Sequence, residues 1–308
     1  MQSSTLRDRV EAWRELLDDC KRKPTKKRVH ALRVVTLRIQ AELEHELGEL
    51  PHASHQAQAM LQFGKVAEKL RAVLAPVREF DVWIGKLQRL RASLTRTAGY
   101  VPRSTLKCIG EIERLEERLK KRRRSAAQKL ATQIAKRSKD LIKAGDDIEE
   151  LTSNRLQGGD SHAVDNILQQ FVAVAADFPA FDEGNLHEFR KRIKKVRYLA
   201  EIHQSGHAAC GLIAAQLKKA QAAIGEWHDW QVLAHSAHHG RHGKNLELRG
   251  LLESLAAERF EEAIATCHGT KARIAAMQSG TAQASNGFRR KPPVRSSHVP
   301  TASVRESA

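Results

Sequence analysis

Cysteine is scarce in this sequence, and its pattern excludes small disulfide-rich proteins and zinc-binding modules. The 308-residue chain has four cysteines, which are scattered with no C-x-x-C pair and no spacing typical of a zinc cage. A chain of this length can bury a core without disulfides or structural metal. The cysteines therefore predict reduced thiols in an intracellular protein.

Long apolar runs are also missing from the chain. No stretch approaches the roughly 18 consecutive apolar residues that a membrane span requires. The first residues carry Asp8 and Glu11 where a signal peptide needs an unbroken apolar core. We therefore expect a cytoplasmic protein with no membrane partner.

Aromatic residues make up only 5% of the chain. Proteins that bind single-stranded nucleic acid stack bases on aromatic side chains, and few are available here. Basic residues are abundant instead, because 53 lysines and arginines outnumber 36 aspartates and glutamates and give a net charge of +17. This balance predicts an anionic partner, and the shortage of aromatics favours a polyanion without bases.

The periodicity of the apolar residues predicts an all-α fold. Apolar residues recur every three or four positions, as in Val29, Leu32 and Ile39, and alternating β-type runs are absent. Asn185, followed by Glu188, is typical of a capping box at a helix start. Helices are predicted at about 5–20, 25–48, 54–73, 76–97, 104–141, 161–177, 185–205, 209–239 and 245–268. From 276 to 308 the periodicity vanishes, and we predict a disordered basic tail.

Two segments that match at an offset of 157 residues indicate an anion-binding surface. One begins Val-His-Ala-Leu-Arg at residue 29, and the other begins Leu-His-Glu-Phe-Arg at residue 186. In the second copy one helix side is apolar, and the opposite side carries His187, Arg190, Lys194 and Arg197 within about 80°. The first copy keeps His30 and Arg33, with Lys26 one turn earlier and Arg38 toward the edge. It has Leu37 and Gln40 at the places of Lys194 and Arg197, so we expect it to be the weaker half.

A second pair of segments supports an internal duplication. Residues 69–83 align with 219–233 at an offset of 150, so that Lys69 meets Lys219 and Glu79 meets Asp229. Two matched elements in the same order predict two similar half-domains related by a pseudo-twofold axis. We place the half-domains at 1–157 and 158–275, and expect them to form one unit.

These motifs resemble the CHAD domain family, named for conserved histidines in an α-helical domain, over about residues 5–268. The resemblance implies two antiparallel helical bundles with long helices and a basic central groove that binds inorganic polyphosphate. It also implies association with polyphosphate granules. Carried over by position, it indicates His30, Arg33 and Arg38 in the first half. In the second half it indicates His187, Arg190, Lys194, Lys195 and Arg197. Ala75 departs from the family pattern, in which a glycine, kept here as Gly225, is usual.

A phosphate chain has many charges and no sequence-dependent shape that a protein could recognise. Its affinity therefore comes from simultaneous charge-assisted hydrogen bonds and from counterion release. Arginine and lysine on rigid helices suit this ligand, and protonated histidine would tighten binding in mild acid. The full predicted polyphosphate-binding set is Lys26, His30, Arg33, Arg38, Lys69, Arg78, His187, Arg190, Lys191, Lys194, Lys195, Arg197 and Lys219.

Several basic and acidic groups leave two interpretations open. The five cations at 120–124 can be further polyanion contacts or plain solvated surface. His30 and His187 can instead be partly buried histidines that bond a neighbouring loop. We interpret Glu79, Asp81 and Asp229 as acids that orient neighbouring cations, and not as catalytic carboxylates. We interpret the histidines at 235–242 as part of a polar loop and not as a metal site. We expect no metal or cofactor.

We predict a binding protein and not an enzyme. The sequence contains no P-loop, zinc motif or G-x-S-x-G, and its nearest match to an acidic metal-binding E-x-E-x-K strand, at Glu111 and Glu113, lies in a predicted helix. Two rivals remain. One is a nucleoid or RNA-binding protein that holds nucleic acid non-specifically, and the other, less favoured, is a polyphosphate- or triphosphate-processing enzyme.

Overall fold

The computed structural model describes residues 5–48, 50–51, 54–96, 102–153, 163–238 and 246–287, and the regular elements in those ranges are all α-helices. The helices are α1 Leu6–Arg22, α2 Lys26–Leu47, α3 His55–Arg96, α4 Arg103–Lys136, α5 Ser138–Ser153, α6 Ala163–Ala176, α7 Leu186–His203, α8 Ala208–His238 and α9 Leu246–Gly287. The predicted all-α fold is confirmed. None of these helices combines the length and hydropathy of a membrane span.

Polar caps fix where the first two helices begin. The Thr5 hydroxyl accepts from the Asp8 backbone amide at 3.2 Å, and the Asp8 carboxylate accepts from the Thr5 amide at 2.8 Å. Thr25 caps α2 by accepting from the Arg28 amide. The capping box predicted at Asn185 is wrong, because the Asn185 side chain bonds back to Asp182 in the preceding turn and makes no cap bond.

Three predicted helix boundaries are wrong, each because core packing outweighs a local signal. The helices predicted at 54–73 and 76–97 are one, α3, which runs through Pro76. Loss of one backbone hydrogen bond at Pro76 is offset because Leu74 and Val77 are fully buried on either side. The helix predicted at 104–141 instead ends at Lys136, and α5 begins at Ser138. Apolar residues on both sides of this break enter the same core, so the periodicity gives no sign of it.

The C-terminal helix is longer than predicted. Helix α9 continues to Gly287, so helical backbone occupies positions 276–287, where the sequence predicts a disordered tail. The rest of that predicted tail, 288–308, lies outside the described residues.

The core has two large parts and a shared third part. One cluster contains residues of α1–α5 only, and another contains residues from 167 to 274. A third cluster joins the two, since Leu87 and Ile112 pack with Leu233 and Leu252. The predicted boundary at 157/158 lies outside the described residues, after α5, which contributes to the first large cluster, and before α6, which contributes to the second.

Candidate anion-binding site

The cationic sides of α2 and α7 meet on one surface. Burial lowers the pKa of Arg33 on α2, and the next largest cause is the positive charge of Arg190 on α7. Each arginine lies one turn after its helix's histidine, so His30 and His187 flank a common positive region.

Lys194 lies at the centre of this region. Burial lowers its pKa to about 7, and the charges that lower it further are those of Arg33, Arg190, Arg71 and Arg197. These five half-buried residues, which we call the central cluster, come from α2, α3 and α7. Like charges held this close raise the free energy of the unliganded site, and a bound anion would relieve that repulsion.

Tyr198 and Glu201 close one end of the central cluster. The Arg197 guanidinium lies 4.4 Å from the centroid of the Tyr198 ring, a cation–π contact. The Glu201 carboxylate accepts from Arg197 at 3.2 Å and pairs with Arg38 of α2 at 3.3 Å. One acid therefore holds two cations that an anionic ligand could otherwise use.

The histidines border the cluster mainly as neutral groups. The rings of His187 and His228 lie 4.9 Å apart, and the buried Nδ1 atom of His187 has no hydrogen-bond partner among the described residues. Burial and nearby cations lower the pKa of His30, His187 and His228. These histidines should therefore become protonated only at a pH below the usual histidine pKa. The tighter binding predicted for mild acid should occur at that lower pH.

Matched residues of the two halves make matched contacts. His30 is influenced by the charge of Arg78, and His187 contacts His228, which aligns with Arg78. Across the α2–α7 crossing, the pair Arg38–Glu201 has a counterpart in Lys195–Glu44 at 2.9 Å, and both members are shifted by 157 positions. Leu37 and Ala41 of α2 form a small buried cluster with Tyr198 of α7. The arrangement favours the predicted duplication.

The acids near the cluster each face cations. Burial raises the pKa of Asp229 to about 6, and the charges of Lys86 and Arg190 oppose that shift. Lys86, only 1% exposed, reaches from α3 to α8, where its Nζ lies 2.5 Å from Glu226 and 3.9 Å from Asp229. These contacts agree with the interpretation of these acids as groups that orient neighbouring cations.

The run at 120–124 divides between structural and exposed cations. Arg123 binds Asp81 at 3.0 Å and donates to the Pro24 carbonyl at 2.8 Å, so it fastens α4 to α3 and to the turn before α2. Lys120 pairs with Glu116 and Glu117. The other three side chains of the run are exposed.

Gly225 gives Arg190 room against α8. A β-carbon at Gly225 would lie 3.1 Å from the Arg190 guanidinium, and Arg190 Nε donates to the Gln221 carbonyl at 3.4 Å. Ala75 stands at the matching place on α3. The two halves therefore differ at the position where the sequence departs from the family pattern.

Some predicted site residues lie outside the central cluster. Lys191 pairs with Glu188 at 2.6 Å, and Lys195 pairs with Glu44; both lysines are exposed. Lys69 lines a groove between α3 and α5, and Lys219 is exposed on α8. The structure does not bring these four to Lys194.

The remaining predicted residues lie nearer to the cluster. Lys26 is beside α3, with its Nζ 3.4 Å from where a β-carbon of Gly85 would be. Arg78 influences both His30 and Asp229. Arg38 is bound to Glu201 at the edge of the cluster.

Sequence reasoning missed Arg71, Tyr198, Lys86 and His228. Arg71 could have been found, since it lies seven residues before Arg78 and therefore on the same side of α3. The His235 side chain is exposed on α8, whereas His239 and His242 lie outside the described residues. Within the described residues, no group of three or more side chains could hold a metal ion.

Comparison with known proteins agrees with this architecture. The family model of the CHAD domain matches residues 4–238, which include the whole central cluster. Among solved structures, the crystal structure of the CHAD domain from the plant Ricinus communis is similar, with a TM-score of 0.58 and 18% sequence identity. That match covers 87% of this chain and 89% of the other. At this identity the match supports the fold alone, and no curated protein matches the chain.

Proposed function

The chain belongs to the CHAD domain family, which is known in general to bind polyphosphate, and from this premise we propose that it binds inorganic polyphosphate at the central cluster without altering it chemically. The single observation that supports the proposal best is the half-buried Lys194, whose pKa is lowered by burial and by the charges of four arginines from three helices. Three carboxylates act on the arginines of the cluster, Glu79 on Arg33, Asp229 on Arg190 and Glu201 on Arg197, but burial and the four arginine charges still lower the pKa of Lys194 to about 7. This excess of positive charge favours an anionic ligand.

The chemistry of the cluster fits a phosphate chain better than a single small anion. Its cations come from three helices and continue toward His30 and His187, which gives several separate donors along one surface. Arginine forks suit phosphate oxygens, and each additional contact releases condensed counterions. Affinity should therefore grow with the number of phosphates that reach the surface.

Substitution within α7 tests the proposed site. The variant Arg190→Gln, Lys194→Gln and Arg197→Gln should bind polyphosphate more weakly, and each lost phosphate contact should reduce the salt slope of log K by roughly 0.7 to 0.9. The matched control, Lys191→Gln, Arg192→Gln and Lys195→Gln, removes the same charge from the same helix outside the cluster. Equal affinities of the two variants in fluorescence titrations would remove the central cluster from the site.

Nucleic acid is the main competing ligand because the net charge of +17 attracts any polyanion. We expect duplex DNA at equal phosphate concentration and physiological salt to leave labelled polyphosphate bound. Displacement by DNA would favour the nucleic-acid alternative.

Binding without catalysis is the second part of the proposal. The acids near the cluster are engaged with cations such as Lys86 and Arg190, which supports a structural role for them. Purified protein incubated with polyphosphate and Mg²⁺ should release no phosphate. Release that disappears in the Arg190, Lys194 and Arg197 variant would make the protein an enzyme.

We also propose that binding targets the protein to polyphosphate granules or organises them. A fluorescent fusion of the whole chain should follow the granules in cells, whereas the Arg190, Lys194 and Arg197 variant should be diffuse. A wild-type fusion that is diffuse in granule-containing cells would contradict this role.

A further inference from the structure

A row of basic side chains follows the exposed side of α4. Its members, which we call the α4 row, are Lys107, Arg114, Arg118, Lys121, Arg122, Lys129 and Lys136. All seven are exposed, and at 100° per residue they fall within about 100° around the helix axis. With a rise of 1.5 Å per residue, the row is about 44 Å long.

The α4 row is separate from the central cluster. The other side of α4 is buried, where Ile112, Leu119 and Leu130 pack into the core. Arg123 also points to that side, since it binds Asp81 of α3. Helix α3 and the row therefore lie on different sides of α4, and the row does not extend the site around Lys194.

The row is nearly free of acids. Arg114 lies 3.7 Å from Glu111, and the other six cations have no ion-pair partner among the described residues. Like charges three and four residues apart, such as Arg118 with Lys121 and Arg122, destabilise an isolated helix slightly. The one acid within the same arc of α4 is Glu111, whose side chain is buried, whereas the exposed Glu113 and Glu117 lie outside the arc and pair with Arg91 of α3 and with Lys120.

We propose that the α4 row binds a second segment of polyphosphate, so that one protein molecule links two phosphate chains or two parts of one chain. This inference rests on the proposed function and deepens it, because linking chains is what organisation of a granule requires. Helix α4 contains no phenylalanine, tyrosine or tryptophan, so the row has no platform for bases. A single narrow row also suits one flexible thread better than the two strands of a duplex.

A bridging assay tests the inference. Full-length protein is loaded on bead-bound long-chain polyphosphate, washed, and offered fluorescent polyphosphate. The row variant is Arg118→Gln, Lys121→Gln, Arg122→Gln and Lys129→Gln. The control variant, Lys21→Gln, Lys65→Gln, Lys139→Gln and Lys218→Gln, removes the same charge from exposed lysines outside both surfaces.

At equal protein load, we expect the row variant to capture severalfold less fluorescent polyphosphate than the wild type or the control variant. Its Kd for short-chain polyphosphate should stay within about twofold of wild type, because distant sites contribute additively. Capture equal to wild type would overturn the inference. So would loss of duplex DNA binding by the row variant with unchanged capture, which would assign the row to nucleic acid.

The two proposals can fail separately. If the Arg190, Lys194 and Arg197 variant keeps wild-type affinity for short-chain polyphosphate, the proposed central site is wrong whatever the row does. If that variant weakens but the row variant still bridges, only the inference about α4 is wrong.

Discussion

At the scale of single residues, the charge of Lys194 depends strongly on its surroundings. Its pKa in the folded protein is about 7, against an ordinary value of 10.5. Between pH 7 and pH 10.5 this lysine binds more protons in the unfolded chain than in the folded one. The free energy of unfolding of the unliganded protein should therefore increase as pH rises from 7 toward 10.5. The buried lysine thus lowers the stability of the unliganded protein at neutral pH.

Lys194→Met should therefore stabilise the unliganded protein near neutral pH, by on the order of 1 kcal/mol, and the difference should shrink in alkaline solution. Urea unfolding of both proteins near neutral pH and again two to three pH units higher, at about pH 9 to 10, measures this. Lys195→Met, at an exposed position, should show no such pH dependence. A Lys194→Met protein that is less stable than wild type at neutral pH contradicts the description of the cluster.

Glu201 is the second residue with a distinct prediction, because it occupies Arg197 and Arg38 together. Glu201→Gln keeps the side-chain volume and removes the competing charge, so polyphosphate affinity should increase about threefold to tenfold. Glu44→Gln is the control, since Glu44 pairs with Lys195 outside the cluster. Weaker binding by Glu201→Gln would mean that the carboxylate orients Arg197 instead of competing with the ligand.

At the scale of helices, Lys86 fastens α3 to α8. Its Nζ lies 2.5 Å from Glu226 and 4.8 Å from the centroid of the Trp230 ring, in a position that is almost fully buried. Lys86→Met should cost about 2 kcal/mol of unfolding free energy, less than the loss from a wholly buried pair because Glu226 is partly solvated. Lys143→Met, at an exposed pair with Asp147, should cost well under half of that. Equal losses in urea unfolding would show that the Lys86 contacts add nothing.

Helix phase explains which parts of the site the sequence could predict. Apolar and cationic sides of α7 follow from its period of 3.6 residues, and the structure buries Phe189 and Val196 as that pattern requires. Lys195 follows Lys194 by one residue, hence by 100°, and this rotation takes it to Glu44. Predicting it as a ligand followed the family motif and not the helix phase.

Tertiary contacts could not be predicted in the same way. The charge of Arg71 acts on Lys194 although the two residues belong to different helices, α3 and α7, and both helices contact α2. Lys69, two residues earlier, points about 200° away, although its match with Lys219 made it a candidate. The continuity of α3 through Pro76 likewise depends on core burial at both sides, which local sequence does not encode.

At the scale of the whole molecule, the excess of positive charge is not spread evenly. The central cluster places half-buried cations between the two bundles, and the α4 row places exposed cations on another face. Binding at the central cluster should weaken less with added salt, for each phosphate contact, than binding at the α4 row, because partly buried charges are screened less than exposed ones. The second should lose its ligand first as salt rises.

The most direct test of the account is proton uptake when long-chain polyphosphate binds near pH 8, measured by calorimetry in buffers of different ionisation enthalpy. A phosphate chain beside Lys194 should raise the pKa of this lysine from about 7, so the wild-type protein should take up close to one proton and the Lys194→Gln variant much less. Equal uptake by the two proteins, or none by the wild type, would contradict the claim that the phosphate chain binds at the central cluster.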